Sequence, residues 1–156
     1  MTNLYQKSKT IMYSKHCKTL YTIVASALLS FSSVAADYRE FVTLPESNND
    51  ALTFDKDGNL FVSHSGKFSS TGLQGTLVYK ISPTGEITQS ATNYRGPLGH
   101  DFDAQGNMYV ANYNTGSIDK VNASGLLSRF ANIGAAGFAS GILINQHNEM
   151  YVASYS

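Results

Sequence analysis

Seven polar residues of this sequence have side chains that could bind or convert a small molecule, and they recur near the ends of short predicted strands. His64 and His100 are candidate catalytic residues, because imidazole exchanges a proton near neutral pH. Asn49, Tyr113 and Ser140 are candidate ligand-binding residues. Two oxygen-bearing side chains complete the set: Asp50 and Asn112. Such a set suits a small oxygen-rich ligand or a hard divalent cation.

Some of these residues also have a structural interpretation. His100 alternates with Phe102, which is typical of a packed, hydrogen-bonded histidine. Asp101 could orient His100 as a base, but adjacent residues of a strand point to opposite faces, which argues against a direct pair. His64 can be a loop-edge residue, and Asn112 can cap the turn that follows it.

The elements that must position these residues are predicted by a pattern that occurs three times. Its copies are LTFDKDGNLFVSH at 52–64, HDFDAQGNMYVAN at 100–112 and ILINQHNEMYVAS at 142–154. Each has two short alternating runs around a polar turn that carries Gly58, Gly106 or Asn148, which predicts a β-hairpin. The DKDGN turn resembles the opening of a calcium loop, but Gly66 stands where that loop needs a glutamate.

A second hairpin pattern, at 75–89 and again at 116–129, lies between copies of the first. One repeat is therefore four short antiparallel strands, which is typical of a β-propeller blade. We predict an all-β chain with an outer strand at 38–45, blade one at about 50–92, blade two at about 98–132 and the start of blade three at about 140–156. The extra residues 67–74 are predicted to form a longer loop.

In an antiparallel hairpin the start of the first strand and the end of the second lie together, so the candidate residues should meet at one mouth of a central channel. The predicted segments provide about two and a half blades, whereas propellers have four to eight. They would also leave strand 149–154 as an apolar sheet edge. We therefore expect an incomplete propeller that is a fragment of a longer protein; a chain that completes an oligomeric ring is the alternative.

The first 36 residues resemble a secretory signal. Four lysines precede an uncharged apolar stretch at 20–36, which ends in small residues. We predict a signal peptide at 1–36 and a periplasmic or secreted mature protein, free of the membrane after cleavage; an uncleaved membrane anchor is the alternative. The only cysteine, Cys17, lies in the leader, so the predicted mature part has no disulfide.

Charge argues against nucleic acid as a partner. From Asp37 onward the chain carries 7 basic and 11 acidic side chains, a net charge of −4. A protein that binds the phosphate backbone is usually basic instead. With 42% apolar and 14% charged residues, the chain of 156 residues has a globular composition.

The blocks FDKDGNLFV, FDAQGNMYVAN and NQHNEMYVAS resemble the repeats of NHL-type propellers and of the senescence-marker-protein, gluconolactonase and strictosidine-synthase-like superfamily. This resemblance covers about 37–156 and implies a propeller that typically has six blades. The sugar-lactone hydrolases of that superfamily hold one divalent metal at the central channel with acidic and Asn residues.

Carried over by position, this metal site implies Asp50 and Asn112 as ligands of a Ca²⁺ or Zn²⁺ ion. Leu98 and Ser140 stand where the resemblance would place asparagines. The aspartate that often ends a second strand is replaced by His64, Asn112 and Ser154.

Two functions follow as expectations. One is a metal-assisted hydrolase or lyase that acts on a lactone or similar small molecule through Asp50, His64, His100 and Asn112. The other is a non-catalytic exported propeller that binds a protein or a saccharide across its face. The departures from the metal pattern favour the second, and activity against lactones would favour the first.

Overall fold

The computed structural model describes residues 10–13, 39–133 and 138–155. In these ranges all regular structure is β-strand, and no helix in them is long and apolar enough to cross a membrane. The strands, in chain order, are β1 (Thr10–Tyr13), β2 (Arg39–Thr43), β3 (Asn49–Phe54), β4 (Leu60–His64), β5 (Phe68–Ser69), β6 (Gly72–Leu73), β7 (Leu77–Ile81), β8 (Ile87–Thr92), β9 (Pro97–Phe102), β10 (Met108–Asn112), β11 (Ser117–Val121), β12 (Leu127–Asn132), β13 (Phe138–Ile144) and β14 (Met150–Tyr155).

Eight of these strands form two four-stranded antiparallel sheets. Blade one has the order β3-β4-β7-β8, and blade two has the order β9-β10-β11-β12. Strands β13 and β14 pair antiparallel as the first two strands of blade three. The prediction of an all-β chain built from four-stranded antiparallel blades is confirmed.

Strand β2 lies within the segment predicted as an outer strand. Leu44, which follows it, is buried with Leu60 and Tyr79 of blade one, and Phe41 packs against the same cluster. Strand β1 pairs antiparallel with β2. The apolar run and the predicted cleavage position fall in 14–38, outside the described residues.

Alternation along the second strand of each blade builds the cores between blades. In blade two, Met108 and Val110 pack toward blade one, whereas Tyr109 and Ala111 pack toward blade three. In blade one, Phe61 joins the cluster with blade two. Each such buried side chain contributes roughly 1.5–3 kcal/mol relative to exposure. Every residue of β4 and β10 is buried, whereas β14, the second strand of blade three, is mostly exposed.

Side chains also tie each inner strand to the next blade. The Thr53 hydroxyl of β3 donates to the His100 carbonyl of β9 at 2.8 Å. Farther around, the backbone N–H of Ile144 in β13 donates to the Asp101 carboxylate at 2.7 Å, and the N–H of Ala104 donates to the Asn148 side chain at 3.0 Å. These three bonds link blade one to blade two, and blade two to blade three.

Five turns lie at one end of the blades, which we call the lower face. They span residues 55–59, 82–86, 103–107, 122–126 and 145–149. Asp55, Asp103, Asn122 and Asn145 each open a turn and accept two backbone N–H bonds at 2.8–3.0 Å. The DKDGN segment is therefore an ordinary turn in which Asp55 bonds to its own neighbours.

Two segments differ from their predicted boundaries. Residues 67–74, predicted as a loop, contain the short antiparallel pair β5 and β6. Strand β13 begins at Phe138, two residues before the predicted start of blade three, while residues 134–137 of the preceding segment lie outside the description.

Candidate functional site

The opposite end of the blades, which we call the upper face, contains the strand ends from which the candidate site was predicted. Asn49 at the start of β3 pairs with His64 at the end of β4. Pro97 pairs with Asn112 in the same way in blade two. The first strand of each blade thus starts beside the end of its second strand, as the hairpin geometry requires.

A groove of about 410 Å³ runs between the inner strands β3, β9 and β13, and we call it the central groove. Asp50, His100 and Ser140, three of the predicted site residues, line it together with Tyr155 at the end of β14. Asp50 is exposed, and its carboxylate has no hydrogen-bond partner among the described residues. The groove therefore gathers a carboxyl group, a hydroxyl and a phenol from blades one and three.

His100 is buried, with only 2% of its surface exposed. Its Nδ1 lies 3.5 Å from the Leu98 carbonyl, and its Nε2 has no partner among the described residues. Burial lowers the pKa of His100 below its ordinary value of 6.5, although the nearby backbone groups of Leu98 and Phe61 and the charges of Asp101 and Asp50 oppose this. Burial therefore favours the neutral form of this imidazole.

The groove is narrow because two inner strands approach closely at Gly99. A Cβ atom at this position would lie 2.5 Å from the Ser140 carbonyl oxygen and 2.7 Å from Gly141 Cα. Both contacts are with backbone, which a side-chain rotation cannot relieve. Glycine at this position therefore fixes the spacing of β9 and β13, and with it the place of Ser140.

His64 lies in a second pocket of about 450 Å³ rather than in the central groove. Its Nε2 is 3.0 Å from a carboxylate oxygen of Glu46, and its ring meets Tyr79 edge-on at 6.2 Å. Its Nδ1 is buried without a hydrogen-bond partner among the described residues. The Glu46 carboxylate orients this histidine, as the second member of an acid–base pair would.

Asn49 and Asn112 both have their side chains in hydrogen bonds. The Asn112 carbonyl oxygen accepts from the Arg95 backbone N–H at 2.7 Å, and its amide is directed at the Ser117 carbonyl at 3.5 Å. The Asn49 amide donates to the Glu46 carbonyl at 2.9 Å, whereas its own side-chain oxygen is buried and unbonded. Asn112 therefore joins the end of β10 to neighbouring backbone.

Tyr113 belongs to a group of aromatic rings on the upper face. Its ring stacks on Phe138 with centroids 4.7 Å apart and planes 21° apart. On its other side it meets Phe68 of β5 edge-on at 6.3 Å. The predicted ligand-binding tyrosine thus lies between an inserted hairpin of blade one and the first strand of blade three.

The two residues implied as metal ligands do not meet in one site. Asp50 lines the central groove, while the Asn112 oxygen is occupied by the Arg95 N–H. In the described ranges no group of three or more His, Cys, Asp or Glu side chains is placed to hold a metal ion.

Sequence reasoning missed two residues of these sites, Glu46 and Tyr155. Glu46 reaches His64 through the segment between β2 and β3, where Asn48 adopts a positive φ of 65°. No repeat of the sequence marks that conformation. Tyr155 could have been found, because it directly follows the third copy of the repeated hairpin, as Tyr113 follows the second, and it pairs with Phe138.

Comparison with known proteins gives structural matches only. No protein-family model and no curated protein matches the chain. Among solved structures, a streptogramin B lyase matches with a TM-score of 0.61 and 17% sequence identity, over 75% of this chain and 38% of that chain. A catalytically inactive virginiamycin B lyase from Staphylococcus aureus with quinupristin matches with a TM-score of 0.58 and 15% identity, over 77% and 39%.

A gluconolactonase-like protein matches with a TM-score of 0.59 and 15% identity, over 76% of this chain and 47% of that chain. The chain thus spans less than half the length of each of these structures. The fold is that of a β-propeller, of which the described strands form two four-stranded blades and the first two strands of a third. At such identities the likeness concerns fold alone.

Proposed function

We propose that this propeller binds a small, oxygen-rich molecule at the upper mouth of the central groove. The observation that supports this most is the placement of Asp50, Ser140 and Tyr155 around one cavity, with the Asp50 carboxylate free to accept hydrogen bonds. Propellers commonly bind ligands where their inner strands converge, and a few convergent polar groups in a concave site are what small-molecule recognition needs.

Binding can be tested with two probes suggested by the names of the structural neighbours, glucono-1,5-lactone and quinupristin. Calorimetry of the full chain should show binding of at least one of them, and Asp50→Asn should weaken it about ten-fold through loss of a charged acceptor. Asp57→Asn is the matched control, since Asp57 is an exposed acid on the lower face. Equal affinities for the two variants would contradict the proposal.

A second candidate function is hydrolysis or elimination on a lactone at the same groove. It is supported by the likeness to a gluconolactonase-like fold and by His100, a neutral imidazole that lines the groove. His64 with Glu46 is a further acid–base pair, in its own pocket. A Ca²⁺ or Zn²⁺ ion bound at Asp50 would need ligands beyond those of the described residues, and it would supply Lewis-acid chemistry.

Lactone opening releases a proton, so it can be followed by titration at constant pH. Catalysis at the groove predicts loss of activity in His100→Gln, and catalysis at the second pocket predicts loss in His64→Gln. A panel of divalent metals, read by melting temperature, tests the cation separately. If neither probe is turned over and no metal raises the melting temperature, a non-catalytic propeller that binds a saccharide or a protein is the better description.

We also infer that the protein is exported, to the periplasm or the medium. The lysine-rich, apolar start of the sequence supports this, and sequencing of the mature N-terminus tests it.

A ring assembled from several copies would be seen as a multiple of the chain mass in solution, and a monomeric mass would exclude it.

A further inference from the structure

The aromatic row, which we define as Phe68, Tyr113 and Phe138, joins three blades on the upper face. Phe68 comes from the hairpin inserted in blade one, Tyr113 from the turn after β10, and Phe138 from the start of β13. The centroid steps along the row are 6.3 Å and 4.7 Å. Phe68 is 71% exposed and Phe138 is 44% exposed, so the row presents ring surface to solvent at both of its ends.

The hairpin that carries Phe68 is fixed to blade two. The Asn114 side chain accepts from the Leu73 backbone N–H at 2.9 Å and donates to the Leu73 carbonyl at 2.7 Å. Within the hairpin, the Ser69 hydroxyl donates to the Gly72 carbonyl at 3.0 Å. Because an asparagine side chain completes the edge of β6 as another strand would, the Phe68 ring is held in place before any ligand arrives.

Packing between blades explains other exposed apolar residues but not Phe68. Phe54 and Leu143 are exposed on faces of β3 and β13 that turn away from blade two, where neighbouring blades of a propeller pack. Phe68 lies instead on an insertion above blades one and two. A rigidly held, exposed aromatic group outside the blade faces is typical of an interaction site.

The chemistry around the row is polar but almost uncharged. Residues 65–76 include Ser, Thr and Gln side chains and a single charged residue, Lys67; the turn 113–116 has no charge, and the exposed Arg95 is the charged residue beside it. An apolar ring surface bordered by neutral hydroxyl and amide groups is complementary to a sugar ring, which has a C–H face and a rim of hydroxyls. An anionic or cationic ligand would find few opposite charges here.

We propose that the aromatic row is a binding site for a neutral saccharide, whose ring packs on Phe68 while its hydroxyls bond to the hairpin and to the turn 113–116. The size of the row favours this over a protein partner, because a stable protein interface buries about 800 Å² on each side, far more than three rings provide. The proposal is independent of the ligand proposed for the central groove.

The test uses the full chain and neutral oligosaccharides of four units from cellulose, xylan, chitin and β-1,3-glucan, with binding measured by calorimetry. At least one should bind, and Phe68→Ala should weaken that binding by about ten-fold, the effect of losing one stacking surface. Leu126→Ala is the matched control, because Leu126 is 66% exposed in a lower-face turn. Its affinity should stay within about two-fold of the unaltered chain.

Each outcome decides between the sites. Absence of binding by all four oligosaccharides at millimolar concentration rejects the proposal. Binding that is weakened by Asp50→Asn but not by Phe68→Ala also rejects it and supports the central groove instead. Melting temperatures of the variants show whether the fold is intact, and Phe68→Leu, which keeps an apolar side chain without a ring, should bind as poorly as Phe68→Ala.

Discussion

The lower and upper faces of this propeller are built from the same repeats but differ in how much their chemistry repeats. On the lower face, Asp55, Asp103, Asn122 and Asn145 make the same pair of backbone bonds in four turns. On the upper face, the ends of β4 and β10 carry residues with different partners: His64 meets Glu46, and Asn112 meets the Arg95 backbone.

This difference separates residues that serve the fold from residues that can serve a function. A turn that recurs in each blade satisfies backbone groups and needs no ligand to explain it. An upper end that differs between blades has no such shared task, and it borders the central groove and the aromatic row. Substitutions on the two faces should therefore differ both in the property that they change and in the size of that change.

The largest effect is expected where the inner strands touch. Gly99→Ala should destabilise the protein by about 3 kcal/mol, because its Cβ would press on the Ser140 carbonyl and separate β9 from β13. On the lower face, Gly106→Ala meets no atom within 4 Å and only strains a φ of +82°, at about 1 kcal/mol. Urea unfolding measures both, and equal losses would contradict the close-approach argument.

The next largest loss of stability is expected in the repeated turns of the lower face. Asp103→Ala removes acceptors for the N–H groups of Gln105 and Asn107 and for the Tyr109 hydroxyl, and should lower the free energy of unfolding by about 2 kcal/mol. Asp57→Ala is the control in the blade-one turn, since among the described residues its carboxylate bonds only to the exposed Lys56. That control should change stability by less than about 0.5 kcal/mol.

The two hydrogen bonds between the Asn114 side chain and the Leu73 backbone should stabilise mainly the hairpin that carries Phe68. Asn114→Ala removes both side-chain bonds to Leu73, so global stability should fall by only about 1 kcal/mol. The Leu73 amide should exchange its hydrogen much faster than in the unaltered chain, as should its neighbours in the hairpin. Gln105→Ala, an exposed change on the lower face, should leave that exchange unchanged. Unaltered protection in Asn114→Ala would mean that other contacts hold the hairpin.

The pH dependence of stability tests the buried histidine. Because the folded pKa of His100 lies below the unfolded value of 6.5, the unfolded chain binds the proton more readily. The stabilisation is complete above pH 6.5 and declines as pH falls toward the folded pKa. Melting temperatures between pH 8 and 5 should show this decline, and His100→Gln should reduce it. His147→Gln, which alters an exposed turn histidine, should retain the decline.

The blades could be predicted because their signals are local. A period of two residues, interrupted by turns at Gly58, Gly106 and Asn148, determines which face each side chain takes. The structure gives all three turn residues positive φ angles, +80°, +82° and +60°. Asn148 in the glycine position was readable because asparagine tolerates this conformation better than most residues.

The hairpin of 67–74 could not be predicted in the same way. Its strands are two residues each, too short for alternation to show. What fixes it is Asn114, 41 residues later than Leu73, and one sequence shows no sign of such a distant partner. The His64–Glu46 contact has the same origin, since it depends on the path of the chain between two strands.

The candidate site was predictable as a region but not in its detail. Hairpin geometry correctly placed Asn49, His64 and Asn112 at one end of the blades. It could not show that the Asn112 oxygen is taken by Arg95, because that bond depends on how the segment between blades folds back. The roles of the seven candidate residues stay predictions.

The hydrogen bonds that tie Thr53 to His100 and Asp101 to Ile144 have a mechanical consequence. Among the described residues these bonds join each inner strand to the inner strand beside it, so a disturbance at one blade passes to the next and fades with distance, as in a chain of coupled units. Blade two is hydrogen-bonded to blade one on one side and to blade three on the other. Its amides should be the slowest to exchange, and blade three should fray first when the protein is warmed.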